Sequence, residues 1–144
     1  MKRGFTLVEL MIVVSVMAVV LAIAIPNLMR VKHNANETGA IEAVRTLSTS
    51  LESFRAAQSP QQYPLTLQQM AQSNPPYIPA SLTGVRERQG YSYDYTRTSL
   101  ATYTLQANPS RPGTTGSRFF YVDQTGVIRS STRGPAGPAS SELQ

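Results

Sequence analysis

Residues 5–25 read FTLVELMIVVSVMAVVLAIAI, a 21-residue run that is apolar except for Thr6, Glu9 and Ser15. At about 1.5 Å of rise per helical residue such a run spans roughly 30 Å, the thickness of a bilayer's hydrocarbon core. No face of it is polar, so a helix built from it has no side to turn toward water. The run therefore predicts a membrane-inserted helix in preference to a buried helix of a soluble core. Beyond Pro26 the chain is polar enough for a soluble domain, and 144 residues support one such domain of ordinary size.

The flanks of the run are unusual. An ordinary secretory signal places its cleavage site after the apolar stretch, at small residues. Here a short basic segment, Met1-Lys2-Arg3-Gly4, precedes it, and an isolated acid, Glu9, stands five residues past Gly4. Ionisable groups inside a membrane helix are costly, which makes Glu9 a functional-site candidate by default. Lys2 and Arg3 hold the first segment at the cytoplasmic surface, but Arg30 and Lys32 flank the other end, so loop charge alone does not orient the helix.

Taken in order, Lys2-Arg3 followed by Gly4-Phe5-Thr6-Leu7-Val8-Glu9-Leu10 resembles the processing motif of type IV prepilins and of the pseudopilins of type II secretion. The resemblance implies a cut between Gly4 and Phe5 by a membrane prepilin peptidase that is also a methyltransferase. Residues 1–4 would then be a leader peptide, and Phe5 the N-methylated first residue. Gly4, lacking a side chain, suits a tight peptidase cleft. The cut would leave a positive amine on Phe5 within the apolar layer. Glu9 of a neighbouring subunit would neutralise it there, or Glu9 of the same chain while the subunit waits in the membrane, because opposite charges attract strongly where the dielectric is low. The motif also sets the orientation, with the leader cytoplasmic and the rest of the chain outside.

Helical signals continue beyond the bilayer. Ile41, Val44, Leu47, Leu51 and Phe54 recur at spacings of three or four, which predicts one long helix from about Phe5 to Ala57 with an amphipathic second half over residues 26–58. Pro26 removes a helical N–H and crowds the preceding turn, so a helix kink is expected there. In the family that the motif resembles, the helix around the matching proline is often locally extended in assembled pili. Gly39 is a second soft point.

The head is expected over residues 59–133. A short helix carries Leu67 and Met70; strands are expected around Tyr91–Thr96, Ala101–Asn108, Arg118–Val122 and Val127–Ser130, with a turn at Asp123–Gly126. Three or four antiparallel strands would bury one face against the helix. The fold class is thus α+β, a long amino-terminal helix packed on a small antiparallel sheet, as in pilin heads. The glycine- and proline-rich residues 134–144 are expected to form a flexible tail.

Several chemistries lack the residues they need. Without cysteine there is no disulfide, thiolate site or thiol catalysis, and the single histidine, His33, has no triad partners, so no catalytic residue and no cofactor is expected. The acids after Asp94 are only Asp123 and Glu142, too few for a calcium loop, and no metal site is expected. Asn36-Glu37-Thr38 matches a glycosylation triplet at chance frequency. Net charge is +5, or +3 with 11 basic and 8 acidic side chains once Lys2 and Arg3 are removed; no dense basic patch supports DNA as a partner. The leading reading is a structural pilus subunit, anchored in the inner membrane before assembly and part of a surface filament afterwards. Its expected partners are the peptidase, copies of itself, minor pilins, the inner-membrane assembly platform and the bilayer. A type II secretion pseudopilin is the first alternative, and a monomeric membrane-anchored binding module the second.

Overall fold

A computed structural model describes residues 5–83 and 87–143, so the expected leader residues Lys2, Arg3 and Gly4 lie outside the described residues. The chain divides into two compact units between Lys32 and His33. The first is the amino-terminal part of helix α1 (Leu7–Ala57), which is helical without interruption, Pro26 included. Its apolar side chains are exposed all round.

In the second unit α1 presents a stripe of Glu37, Ala40, Val44, Leu47, Leu51 and Phe54 to the core, at the spacing of three and four that one helical face requires. Ala40 and Ala43 hold central positions, and Ile41, expected on the stripe, is only half-buried beside it. A short helix α2 (Leu67–Ala71) buries Leu67 and Met70 as expected, and a 3₁₀ turn (Ala80–Leu82) adds Leu82.

The sheet is an antiparallel meander of five strands in the order β1 (Tyr91–Arg97), β2 (Tyr103–Pro109), β3 (Phe119–Asp123), β4 (Arg129–Ser131) and β5 (Ser141–Glu142). Alternation puts Tyr91 and Tyr93 of β1, and Tyr103, Leu105 and Ala107 of β2, on the buried face against α1. Tyr63 and Tyr103 meet edge-on at 4.7 Å between ring centroids, and Phe54 and Tyr77 at 5.4 Å, so the aromatics serve as sheet core.

Three expectations need correction. β2 starts at Tyr103 because the Thr98 and Ser99 N–H groups both close onto the Thr102 carbonyl, at 3.0 and 3.1 Å, which consumes the preceding residues in a turn. The Asp123–Gly126 turn forms, Gly126 at φ 72° within it, but its return strand begins at Arg129, two residues later than expected. The sheet has five strands because residues 134–143 are no loose tail. Ala136 is buried, Gln106 donates to its carbonyl at 3.2 Å, and Leu143 N–H donates to the Ile128 carbonyl at 2.8 Å. Two prolines and two glycines shape this segment into a return path, and an ion pair between Arg129 and Glu142 at 3.2 Å fixes its end.

Candidate functional site: the amino-terminal helix and its anchorage in the head

An apolar helix can enter lipid only when its polar groups are satisfied internally. Each of the three polar side chains in residues 5–25 meets that condition. Ser15 donates its hydroxyl to the Met11 carbonyl at 2.7 Å, one turn back. Thr6 and Glu9 form a capping box at the start of α1: the Glu9 carboxylate accepts from Thr6 N–H at 2.9 Å and from the Thr6 hydroxyl at 2.8 Å, and Thr6 Oγ1 accepts from Glu9 N–H at 3.2 Å. The sequence carries the signal, a threonine three residues ahead of a glutamate before an apolar run, and reading Glu9 only as an isolated acid overlooks it. Thus Glu9 caps its own helix. Phe5, beside Thr6, is 87% exposed.

The outer surface of this segment is hydrocarbon. Leu7, Val8, Leu10, Met11, Ile12 and the large apolar residues beyond them, as far as Val31, all lie open. α1 contains a helix long and apolar enough to cross a membrane, and none of that stretch is buried within the chain. A soluble protein rarely leaves such an area uncovered. Lipid or other protein must cover it.

The head grips α1 through a polar device that the hydrophobic pattern alone does not announce. Glu37 lies on the buried stripe, and its carboxylate accepts from Ser117 N–H at 2.9 Å, Ser117 Oγ at 2.8 Å, Arg118 N–H at 3.3 Å and Arg118 Nε at 2.7 Å. Burial by itself pushes this carboxyl up, but Ser117 and the Arg118 guanidinium outweigh it and hold the group below the usual carboxylate range. The readable signal is its phase: Glu37 is seven residues ahead of Val44, on the face that turns inward. Asn36, next to it, donates to the Thr115 carbonyl at 2.8 Å, so the amide of the chance glycosylation triplet is a structural contact. Farther along, Ser48 and Tyr103 share a buried hydrogen bond of 3.0 Å, and burial pushes the Tyr103 hydroxyl up to about 12, so it remains a neutral partner.

The two acids weighed for a metal are engaged elsewhere. Asp123 accepts from Thr125 N–H at 2.9 Å and the Thr125 hydroxyl at 2.6 Å, closing its turn, and Glu142 pairs with Arg129. The structure does not bring Pro26 together with any of these groups; it lies within the apolar unit, and α1 is helical on both sides of it.

The chain resembles known proteins over part of its length. Residues 1–25 match the family described as the prokaryotic N-terminal methylation motif. The chain is 34% identical over 67 residues to the type II secretion system core protein G of Dickeya chrysanthemi, covering 46% of this chain and 42% of that one. It is 42% identical over 53 residues to the type IV major pilin protein PilA of Myxococcus xanthus, covering 37% of this chain and 24% of that one. It is 47% identical over 36 residues to the type IV wide pilus major component PilA4 of Thermus thermophilus, covering 25% of this chain and 28% of that one. The matches span less than half the length of these relatives. No solved structure gives a significant match.

Proposed function

We propose that this relative of type IV pilins and of type II secretion core G proteins, bearing the prokaryotic N-terminal methylation motif, is a structural subunit of a type IV pilus. The observation that carries the reading is the uncovered apolar helix whose few polar groups are internally paired. In the membrane, lipid covers it. In a filament, the same helices from successive copies cover one another, and head-to-tail contacts that do not close into a ring extend the array.

On this reading a prepilin peptidase cuts between Gly4 and Phe5 and methylates the new terminus. The resulting cation is attached to the residue beside Thr6, whose N–H and hydroxyl Glu9 already accepts. Before assembly, Glu9 of the same chain compensates the amine; on assembly, Glu9 turns to the terminus of an adjoining copy, and the exchange sets the stagger between subunits. Lys2 and Arg3 keep the leader cytoplasmic, the head lies outside, and Pro26 supplies the point where the apolar helix bends or extends. The work is structural, with no catalysis by the chain itself, and the assembly platform and minor pilins are its partners.

A second reading, a subunit of a type II secretion pseudopilus, draws support from the 67-residue match to core protein G. Against it, the acids from which a carboxy-terminal calcium loop of the kind typical of major pseudopilins would be built, Asp123 and Glu142, are committed to a turn and an ion pair. Electron microscopy of sheared surface fibres, with protein secretion measured in parallel, separates the two. Deletion of the gene should remove fibres and spare secretion. Secretion lost with fibres intact would reverse the choice.

A further inference from the structure

The carboxy-terminal segment that composition left without structure builds a cleft. Between β4 and β5 lies an open cavity of about 360 Å³ whose lining includes Ser130, Thr132, Arg133, Ser140 and Ser141. Its frame is firmly held. The Arg129 guanidinium donates to the Ser140 carbonyl at 3.1 Å and pairs with Glu142 at 3.2 Å. Ser140 N–H donates to the Gly137 carbonyl at 3.0 Å, and Gly137 N–H returns a bond to Ser140 Oγ at 3.0 Å.

Within that frame the polar groups divide. Ser140 and Ser131 spend their oxygens on the N–H groups of Gly137 and Arg133. Among the described residues, the hydroxyls of Ser130, Thr132 and Ser141 have no protein partner, and Arg133, which is exposed, pairs with no carboxylate. Two other clefts on the head have acids as well as cations in their lining: Arg45, Glu52 and Glu142 line the one between α1 and the β3–β4 turn, and Glu42 and Arg88 line the one beside Gly39. The β4–β5 cleft holds a cation with no acid among its lining residues.

A guanidinium is a planar fork of donors that fits the paired oxygens of a carboxylate or phosphate. Hydroxyls both donate and accept, the capacity needed to read another hydroxyl-bearing molecule. The volume falls in the range of about 300–1,000 Å³ typical of small-molecule sites. We propose that this cleft binds a small acidic sugar, with its oxyanion on Arg133 and its hydroxyls on Ser130, Thr132 and Ser141. A neutral sugar forgoes the guanidinium, and a bare phosphate leaves the hydroxyls unread. The β4–β5 ladder is two residue pairs long, Arg129 with Glu142 and Ser130 with Ser141. A guest touching both strands therefore fastens the terminal strand to the sheet. The inference goes beyond the filament reading and does not depend on it.

The test uses the full chain in a detergent free of sugar and phosphate, titrated at constant ionic strength with glucuronate, glucose and inorganic phosphate while backbone amide resonances are followed. Glucuronate should shift the amides of Ser130, Arg133 and Ser141 saturably, with glucose at least tenfold weaker. Arg133→Gln should weaken glucuronate at least tenfold; Arg133 is exposed, so the variant should keep the wild-type spectrum elsewhere. Thr132→Val with Ser141→Ala should weaken glucuronate severalfold and leave phosphate unaffected. No saturation with glucuronate, equal binding of glucose, or unchanged binding by Arg133→Gln would overturn the proposal. Phosphate binding as tightly as glucuronate would overturn the recognition of the sugar.

Discussion

Replacing Glu37 with alanine should uncouple the head from the helix that runs through it. Four donors converge on this carboxylate, two backbone N–H groups, a hydroxyl and a guanidinium. Removing one partner of a buried ion pair costs about 3–5 kcal/mol. The Arg118 side chain is 38% exposed and can recover water, as can the Ser117 hydroxyl, which brings the expectation down to about 3 kcal/mol, mostly from backbone donors left without an acceptor. In urea, at an m-value of about 1.5 kcal/mol/M, the midpoint should fall by roughly 2 M. The assay is denaturation of the full chain in detergent, followed by tyrosine near-ultraviolet dichroism. Acid adds a second readout. The folded Glu37 carboxyl lies below its unfolded value, so the folded state binds fewer protons around pH 4. Its contribution is complete above the unfolded value, about 4.3, and is lost as pH falls through the lower folded one. The stability gap between wild type and Glu37→Gln should therefore narrow from pH 6 to pH 3. A midpoint shift equivalent to less than about 0.5 kcal/mol for Glu37→Ala, or a gap to Glu37→Gln that ignores pH, would refute the reasoning.

Three further outcomes are expected from the same contacts. A Cβ on Gly116 would collide with the Tyr91 ring and its hydroxyl, which donates to the Arg118 carbonyl at 2.8 Å, so Gly116→Ala should cost about 1–3 kcal/mol in the same denaturation assay. Leu51 is fully buried, and Leu51→Ala should cost about 2–5 kcal/mol, whereas Thr49→Ala on the exposed face should stay within about 0.5 kcal/mol. Glu9→Ala should still be processed yet give few filaments, read by immunoblot of envelope and sheared fractions; wild-type filament yield would remove the role proposed for Glu9.

Most of the architecture is legible in the sequence because strong periodic signals coincide with tertiary packing. The three-and-four spacing from Val44 to Phe54 marks the buried face of α1, and the alternating tyrosines mark β1. Where sequence and structure differ, a tertiary contact overrides a local cue. Gly134-Pro-Ala-Gly-Pro reads as unstructured by composition, yet Gln106, 30 residues from Ala136, donates to its carbonyl, and Arg129 donates to the Ser140 carbonyl just ahead of β5. Ile41 lies at the margin of the buried face, partly buried and packed against the core, while Ala40 and Ala43 are buried. The phase of Glu37 on the inward face is readable in the sequence, but its partners are not, because Ser117 and Arg118 lie 80 and 81 residues away. The capping box, by contrast, is local and readable. Weighing Glu9 by its membrane cost alone, and not by its distance from Thr6, passes over it.

The central claim is that hydrocarbon left bare along α1 is covered first by lipid and then by other copies of the chain. Mass spectrometry of the amino terminus in sheared filaments and in the inner membrane tests it most directly. The account predicts filaments made of chains that begin at methylated Phe5. Chains that retain Met1 through Gly4 in the membrane and never enter a filament would contradict it.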